Sequence, residues 1–221
     1  MVEFTVGDRT ASGYLAIPAS GDGPGIIVLH AWWGLNDFFK TLCRRLADAG
    51  FVALAPDLYH GAVASTIAEA KQLRSQLDRD AVNKEMSAAV AYLSQHPVVQ
   101  GRSLGVVGFS LGAHWALWLA DHHPKSIGAT VLYYGTSGGR LTKTNAAFLG
   151  HFAEHDIWGA SAHSVQALET RLNAAGRSTT FHTYPNTQHW FAEDDRLDAY
   201  DAEAAQLAWE RSIAFLRSHL K

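Results

Sequence analysis

A chain of 221 residues with 48% hydrophobic content is long enough to bury roughly 70% of its unfolded surface in one core, so a single domain over residues 1–221 is expected. Only 18% of the residues are charged and the net charge is -3 with histidine neutral, which leaves no basic field to hold nucleic acid or an anionic membrane. The one cysteine, Cys43, excludes an internal disulfide framework and a cysteine-rich zinc site.

The amino terminus, "MVEFTVGDRT", carries charges and shows neither an apolar signal core nor a small-residue cleavage site. No uninterrupted apolar run approaches the ~18–20 residues of a membrane span, so a cytoplasmic protein without membrane contact is expected. The runs "VEFTV" and "GYLAIP" read as an antiparallel hairpin at the edge of a sheet. Further runs follow at "GIIVLH", "FVALAPD", "LGVVGFS", "ATVLYYG", "AAFLGHFAEHD" and "TTFHTYP". Most are apolar on both alternating positions, as strands covered on two faces are.

Helical segments separate them. Asn36 to Ala49 ends at Gly50, and within it Cys43 keeps helical company with Phe39, Leu42 and Leu46, as a small buried hydrophobe does. Ile67 to Leu77 follows a Thr66-x-x-Glu69 capping box, and Ala81 to Gln95 stops before Pro97. Three more run from Leu111 to His122, from Ala162 to Ala175 and from Ala202 onward. Strand and helix alternating in this way predict an α/β fold, a mostly parallel sheet with helices on both faces. Residues 58–80, weakly periodic and mixed in charge, could form a partial lid.

In an open parallel sheet, ligands bind beyond the carboxyl ends of the strands, where loops converge and helices present their amino ends. One such end reads Gly108-Phe109-Ser110-Leu111-Gly112, the pattern that sets a serine on a sharp strand-to-helix turn with small neighbours two residues either side. The Leu111 amide then points to where a carbonyl oxygen would become an oxyanion. A serine hydroxyl needs a base; of twelve histidines, His189, just past the last strand, is the best placed. His114, one turn beyond Ser110, is expected to pack along the helix instead, and His122 and His123 close that helix. His30 ends a strand below the loop expected to complete the oxyanion site and is expected to shape it. Asp156, at another strand end, suits the carboxylate that orients the imidazole; Glu154 and Asp195 are substitutes. His151, His155, Asp156 and His163 cluster in sequence, and the i, i+4 spacing of His151 and His155 binds zinc on a helix, but this stretch reads as a strand and its exit, so no metal is expected.

In this order, "GIIVLHAWWGLNDFFKTLCRRLADAGFVALAPDLYHG", "GVVGFSLGA", "LGHFAEHD" and "YPNTQHWFA" resemble the dienelactone hydrolase family of α/β-hydrolases over nearly the full chain. The resemblance implies an eight-stranded sheet, no cofactor, and hydrolysis of lactones or small esters. It places nucleophile, base and carboxylate on Ser110, His189 and Asp156, and the oxyanion amides on Leu111 and Trp32. Two departures, at three positions, separate this chain from the members that open dienelactone. Those have a cysteine nucleophile with a glutamate after the third strand, where this chain has Ser110 and Ala31. They also have a carboxylate-binding arginine four residues past the histidine, where this chain has Glu193. An acid at 193 would repel an anionic substrate, so a neutral ester or lactone is expected, held in an apolar pocket walled by Trp33, Trp158 and Trp190 beside Trp32. Arg74 and Arg79, in the possible lid, could still bind an acidic group and admit an anionic substrate, but charged helix residues usually face solvent and the two are not counted in the site. The protein is expected to act as a monomer or small homo-oligomer on a small-molecule ester or lactone. The alternative is a hydrolase-like protein that holds a small ligand without turning it over.

Overall fold

The computed structural model describes residues 1–220. Eight strands form one sheet: β1 (Val2–Val6), β2 (Arg9–Ala16), β3 (Gly23–Leu29), β4 (Val52–Pro56), β5 (Val99–Phe109), β6 (Ile127–Tyr133), β7 (Ala147–His155) and β8 (Thr179–Gln188). Their order across the sheet is β1-β2-β4-β3-β5-β6-β7-β8. The β1–β2 and β2–β4 pairs are antiparallel and all others parallel. The expected edge hairpin is therefore present, and it puts β1 outermost. Six helices connect the rest: α1 (Asp37–Asp48), α2 (Ile67–Ser75), α3 (Arg79–Ser94), α4 (Leu111–His122), α5 (Ala162–Ala174) and α6 (Ala202–His219).

Alternation along the central strands sorts the core into two layers. Ile26 and Val28 of β3 join Phe39, Leu42 and Leu46 of α1 and Ala208, Ile213 and Leu216 of α6 on one face. Ile27 and Leu29 join Val82 and Met86 of α3, Trp115 and Leu119 of α4, and Leu168 and Leu172 of α5 on the other. Cys43 is buried in the first layer, where burial pushes its thiol up to about 12. No helix among the described residues is long and apolar enough to cross a membrane.

Helix starts follow the sequence. Asn36 caps α1 by accepting from the Phe39 amide, Thr66 and Glu69 close the capping box of α2, and Asp78 accepts from the Ala81 amide at the start of α3. The exception is α4. Its cap residue is Ser110, a residue type that commonly caps, yet its side chain makes no cap hydrogen bond and its backbone sits at φ 51°, ψ -107°. A left-handed non-glycine residue at a helix start is strained by about 1–3 kcal/mol, so the surrounding contacts must hold it there.

Candidate active site

Two glycines allow that geometry. A Cβ at Gly112 would collide with the Leu29 carbonyl, and one at Gly108 would lie 2.5 Å from the Gly112 carbonyl oxygen. Any side chain at either position would force α4 away from β3 and β5. With both absent, the strand reverses into the helix at Ser110, whose amide still donates to the Tyr133 carbonyl at 2.9 Å. The hydroxyl is left above the sheet.

There it meets His189. Ser110 Oγ lies 2.8 Å from His189 Nε2, and His189 Nδ1 lies 2.6 Å from Asp156 Oδ2. A carboxylate can only accept, so the imidazole proton sits on Nδ1 and Nε2 accepts the serine proton. The Asp156 carboxylate has no solvent exposure and that of the His189 side chain is 4%. Its other oxygen accepts the Trp158 and Gly159 amides at 2.8 and 3.1 Å. Burial alone would raise the Asp156 carboxyl, but the hydrogen bond and charge of His189, with the Trp158 amide, hold it below the usual range. The two substitute acids are engaged elsewhere: Glu154 accepts the Asn186 amide, and Asp195 accepts the Asn36 side chain.

The serine and histidine open onto a cavity of about 260 Å³. Leu111, the first residue of α4, and Trp32, in the loop after β3, line it with Trp115, Tyr134, Trp158 and Trp190. Trp32 and Trp190 stack at 5.9 Å and 27°, and Trp158 lies 5.3 Å from each. Tyr134 sets its ring 4.8 Å from the His189 imidazole. Like Ser110, both Tyr134 and Trp190 have left-handed backbones, at φ 39° and 70°. Strain of this kind concentrates where a scaffold over-determines a functional surface.

Four expectations change. Trp33, expected in the pocket wall, is only 2% exposed and does not line the cavity. It packs edge-on behind Trp190 at 5.2 Å, and the Arg196 guanidinium covers its ring at 4.2 Å. Glu193, expected to meet the substrate, is wholly buried behind the cavity, where Tyr134 donates its hydroxyl to Oε1 at 2.7 Å. Burial pushes its carboxyl up to about 8; the Tyr134 hydrogen bond and Arg196 oppose this and Asp195 adds to it. It is thus largely a neutral acid at pH 7 and cannot repel a ligand it does not touch. His114 lines the cavity, though it makes no hydrogen bond to Ser110. Finally, the 58–80 segment contributes α2 and the start of α3, and from their corner Arg74, Leu77 and Arg79 line the cavity. The sequence raises both arginines as possible partners of an acidic group but leaves them outside the expected site, because charged helix residues usually face solvent and no motif anchors them.

The histidine-rich stretch disperses. His151 is buried between Tyr184 and Ser212, at 2.8 and 3.0 Å, whereas His155 is exposed at the end of β7 and His163 sits on α5. Asp156 alone of the four reaches the candidate site.

A model of the dienelactone hydrolase family matches residues 11–220. Protein usf of Aquifex pyrophilus is 32% identical, with 100% of this chain and 98% of that one covered. A protein of Aquifex aeolicus (strain VF5), provisionally named carboxymethylenebutenolidase, is 30% identical over 100% of this chain and 99% of its own. A solved structure from Klebsiella pneumoniae subsp. pneumoniae MGH 78578, provisionally named a dienelactone hydrolase, superposes with a TM-score of 0.86 at 26% identity. It covers 99% of this chain, which covers 98% of it. With the sheet order, the strand-end site and these matches in agreement, the chain belongs to the dienelactone hydrolase family, ester and lactone hydrolases built on the α/β-hydrolase fold.

Proposed function

We propose that this hydrolase cleaves small carboxylic esters or lactones through an acyl-enzyme on Ser110. His189 Nε2 takes the hydroxyl proton as Oγ attacks the carbonyl carbon, and Asp156 stabilises the imidazolium that results. The Leu111 and Trp32 amides hold the oxyanion of the tetrahedral intermediate. Collapse breaks the bond to the alcohol oxygen, which leaves with the proton from His189. A water molecule, deprotonated by the same nitrogen, then attacks the acyl carbon, and a second collapse returns the proton to Ser110 and frees the acid.

The observation that carries this reading is the continuous relay of 2.8 and 2.6 Å from Ser110 through His189 to a carboxylate without solvent exposure. A serine that forgoes its helix-cap role to face an imidazole has little structural reason to do so. Membership of a family of hydrolases leaves the non-catalytic ligand-binding alternative without support.

The cavity also supports a substrate class. Trp32, Trp158 and Trp190 offer flat apolar surface, while Arg74 and Arg79 line the same cavity with no carboxylate partner among the described residues. We infer an ester or lactone that carries an acidic group away from the scissile carbonyl.

The test combines turnover of p-nitrophenyl acetate and butyrate with mass spectrometry after a fluorophosphonate probe. The parent is expected to turn over and to carry one adduct on Ser110. Ser110→Ala is expected to keep its circular dichroism and melting temperature while losing turnover by at least about 10³-fold. Parent-level hydrolysis by the alanine variant overturns the mechanism.

A further inference from the structure

The peptide joining Ala31 to Trp32 carries two groups that point in opposite directions, because a planar trans peptide opposes its C=O and N–H. Whatever fixes the Ala31 carbonyl therefore also aims the Trp32 N–H. That carbonyl accepts from the Gly34 amide at 3.2 Å and lies 2.6 Å from His30 Nδ1. The other ring nitrogen, Nε2, lies 3.2 Å from the Leu58 amide nitrogen. A backbone amide can only donate, so Nε2 is the acceptor, the ring is neutral, and its proton sits on Nδ1 facing the Ala31 oxygen.

The surroundings leave this ring one position. His30 is fully buried, with Tyr59 and Phe39 at 5.2 and 6.1 Å between ring centres. Burial lowers its pKa, against the Ala31 hydrogen bond and the charge of Asp57. Asp57 does not bond the ring; its two oxygens accept the Tyr59 and Gly61 amides and so order the loop that presents the Leu58 N–H. On the far side, a Cβ at Gly112 would meet the Leu29 and His30 carbonyls, so the residue that carries the imidazole abuts the turn of α4 that begins at Leu111. One side chain thus ties the loop after β3 to the loop after β4, beside the turn that begins α4.

We propose that His30 is a positioning residue for the oxyanion hole: its Nδ1–H clamps the Ala31 carbonyl, and through that rigid peptide it aims the Trp32 N–H at the substrate carbonyl oxygen. The proposal rests on the serine-hydrolase reading above. It assigns His30 no contact with substrate and no proton transfer. Its effect belongs to the step in which negative charge develops on that oxygen, so it is read in kcat rather than in KM.

Two measurements test it. In the parent protein, long-range ¹⁵N–¹H correlation of the imidazoles is expected to show His30 as the neutral Nδ1–H tautomer at neutral pH; an Nε2–H tautomer overturns the clamp without any variant. In the second, His30→Leu and His30→Gln are assayed on p-nitrophenyl acetate, with rates expressed per active site titrated by the fluorophosphonate. Misaiming one oxyanion donor is expected to lower kcat per titrated site by roughly 10–100-fold in His30→Leu with KM within about twofold. The glutamine amide, which can both donate and accept, is expected to recover part of that loss. A merely structural role would reduce the number of titratable sites and leave the rate per site unchanged, and that result overturns the proposal in whichever variant folds. A parent with neither ester turnover nor a Ser110 adduct would instead remove the serine-hydrolase reading on which it rests.

Discussion

Glu193 offers the sharpest energetic test of the site. Its carboxyl is fully buried, one oxygen accepts the Tyr134 hydroxyl, the other has no partner among the described residues, and burial pushes its pKa up to about 8. In the unfolded chain the group ionises near 4.5. A folded pKa above the unfolded one means the native state holds a proton that the unfolded state has released. The stability from this group is thus complete below about pH 4.5 and declines as pH rises, until it is lost through the folded value near 8. At about 1.4 kcal/mol per unit over that interval, the loss is on the order of 5 kcal/mol. Glu193→Gln keeps the acceptor for Tyr134 and removes the titration. Its amide hydrogens cost about 1–3 kcal/mol if left unpaired, but that cost does not vary with pH. The prediction is therefore a slope: in urea titrations at intervals from pH 5 to 9, the variant gains on the parent as pH rises, with the curves parallel above 9. A stability difference that is flat across the range refutes the buried neutral acid.

Two further outcomes are expected. Asp156→Asn is expected to leave the fold intact and lower kcat by roughly 10³–10⁴-fold, because an amide can fix the wrong imidazole tautomer and cannot stabilise the imidazolium; steady-state kinetics showing less than a tenfold loss would dissociate Asp156 from the relay. Arg74→Ala with Arg79→Ala is expected to raise KM for an acid-bearing aryl ester by about 5–30-fold in low salt and to leave a neutral ester of the same size within about twofold, since exposed arginines contribute about 1 kcal/mol each and are screened by salt. Equal changes for the two esters would show that the arginines do not read charge.

The fold and the relay were legible because each rests on short-range rules. Double-sided apolar runs mark covered strands, Thr66 with Glu69 marks a helix start, and Gly108 and Gly112 leave room that only a close strand–helix crossing uses. The polar first half of β5 escaped notice because Val99 to Ser103 is mostly exposed and lacks the apolar pattern that betrays its second half. The misplacements share another cause. Trp32 and Trp33 are equally apolar neighbours, and the turn that sends one into the cavity and the other behind it depends on Gly34, held at φ 90° against the Ala62 carbonyl. Glu193 follows the left-handed Trp190, which reverses the chain and takes the carboxyl inward. Arg74 and Arg79 belong to different helices, and only the corner between α2 and α3 brings them to one cavity. Neither periodicity nor residue type encodes such reversals.

The arrangement that results separates the charges of the site by depth. Asp156 is ionised and buried, but its charge is spent on His189 and two amides. Glu193 lies deeper still and avoids charge by keeping its proton, so neither acid opposes a developing oxyanion at Ser110. The cations stand at the exposed corner of α2 and α3, where water keeps their desolvation cost small. A carboxylate at residue 31 would upset this balance, for it would need a positive partner that the buried Glu193 does not supply. Ala31, fully buried beside His30, keeps that space apolar. Serine in place of a thiol fits the same logic: a hydroxyl is activated during attack by a neutral imidazole and does not need a neighbouring acid to form its anion beforehand. Under the proposed serine mechanism, the three positions at which this chain departs from the dienelactone-opening pattern, 31, 110 and 193, form one electrostatic solution rather than three separate losses.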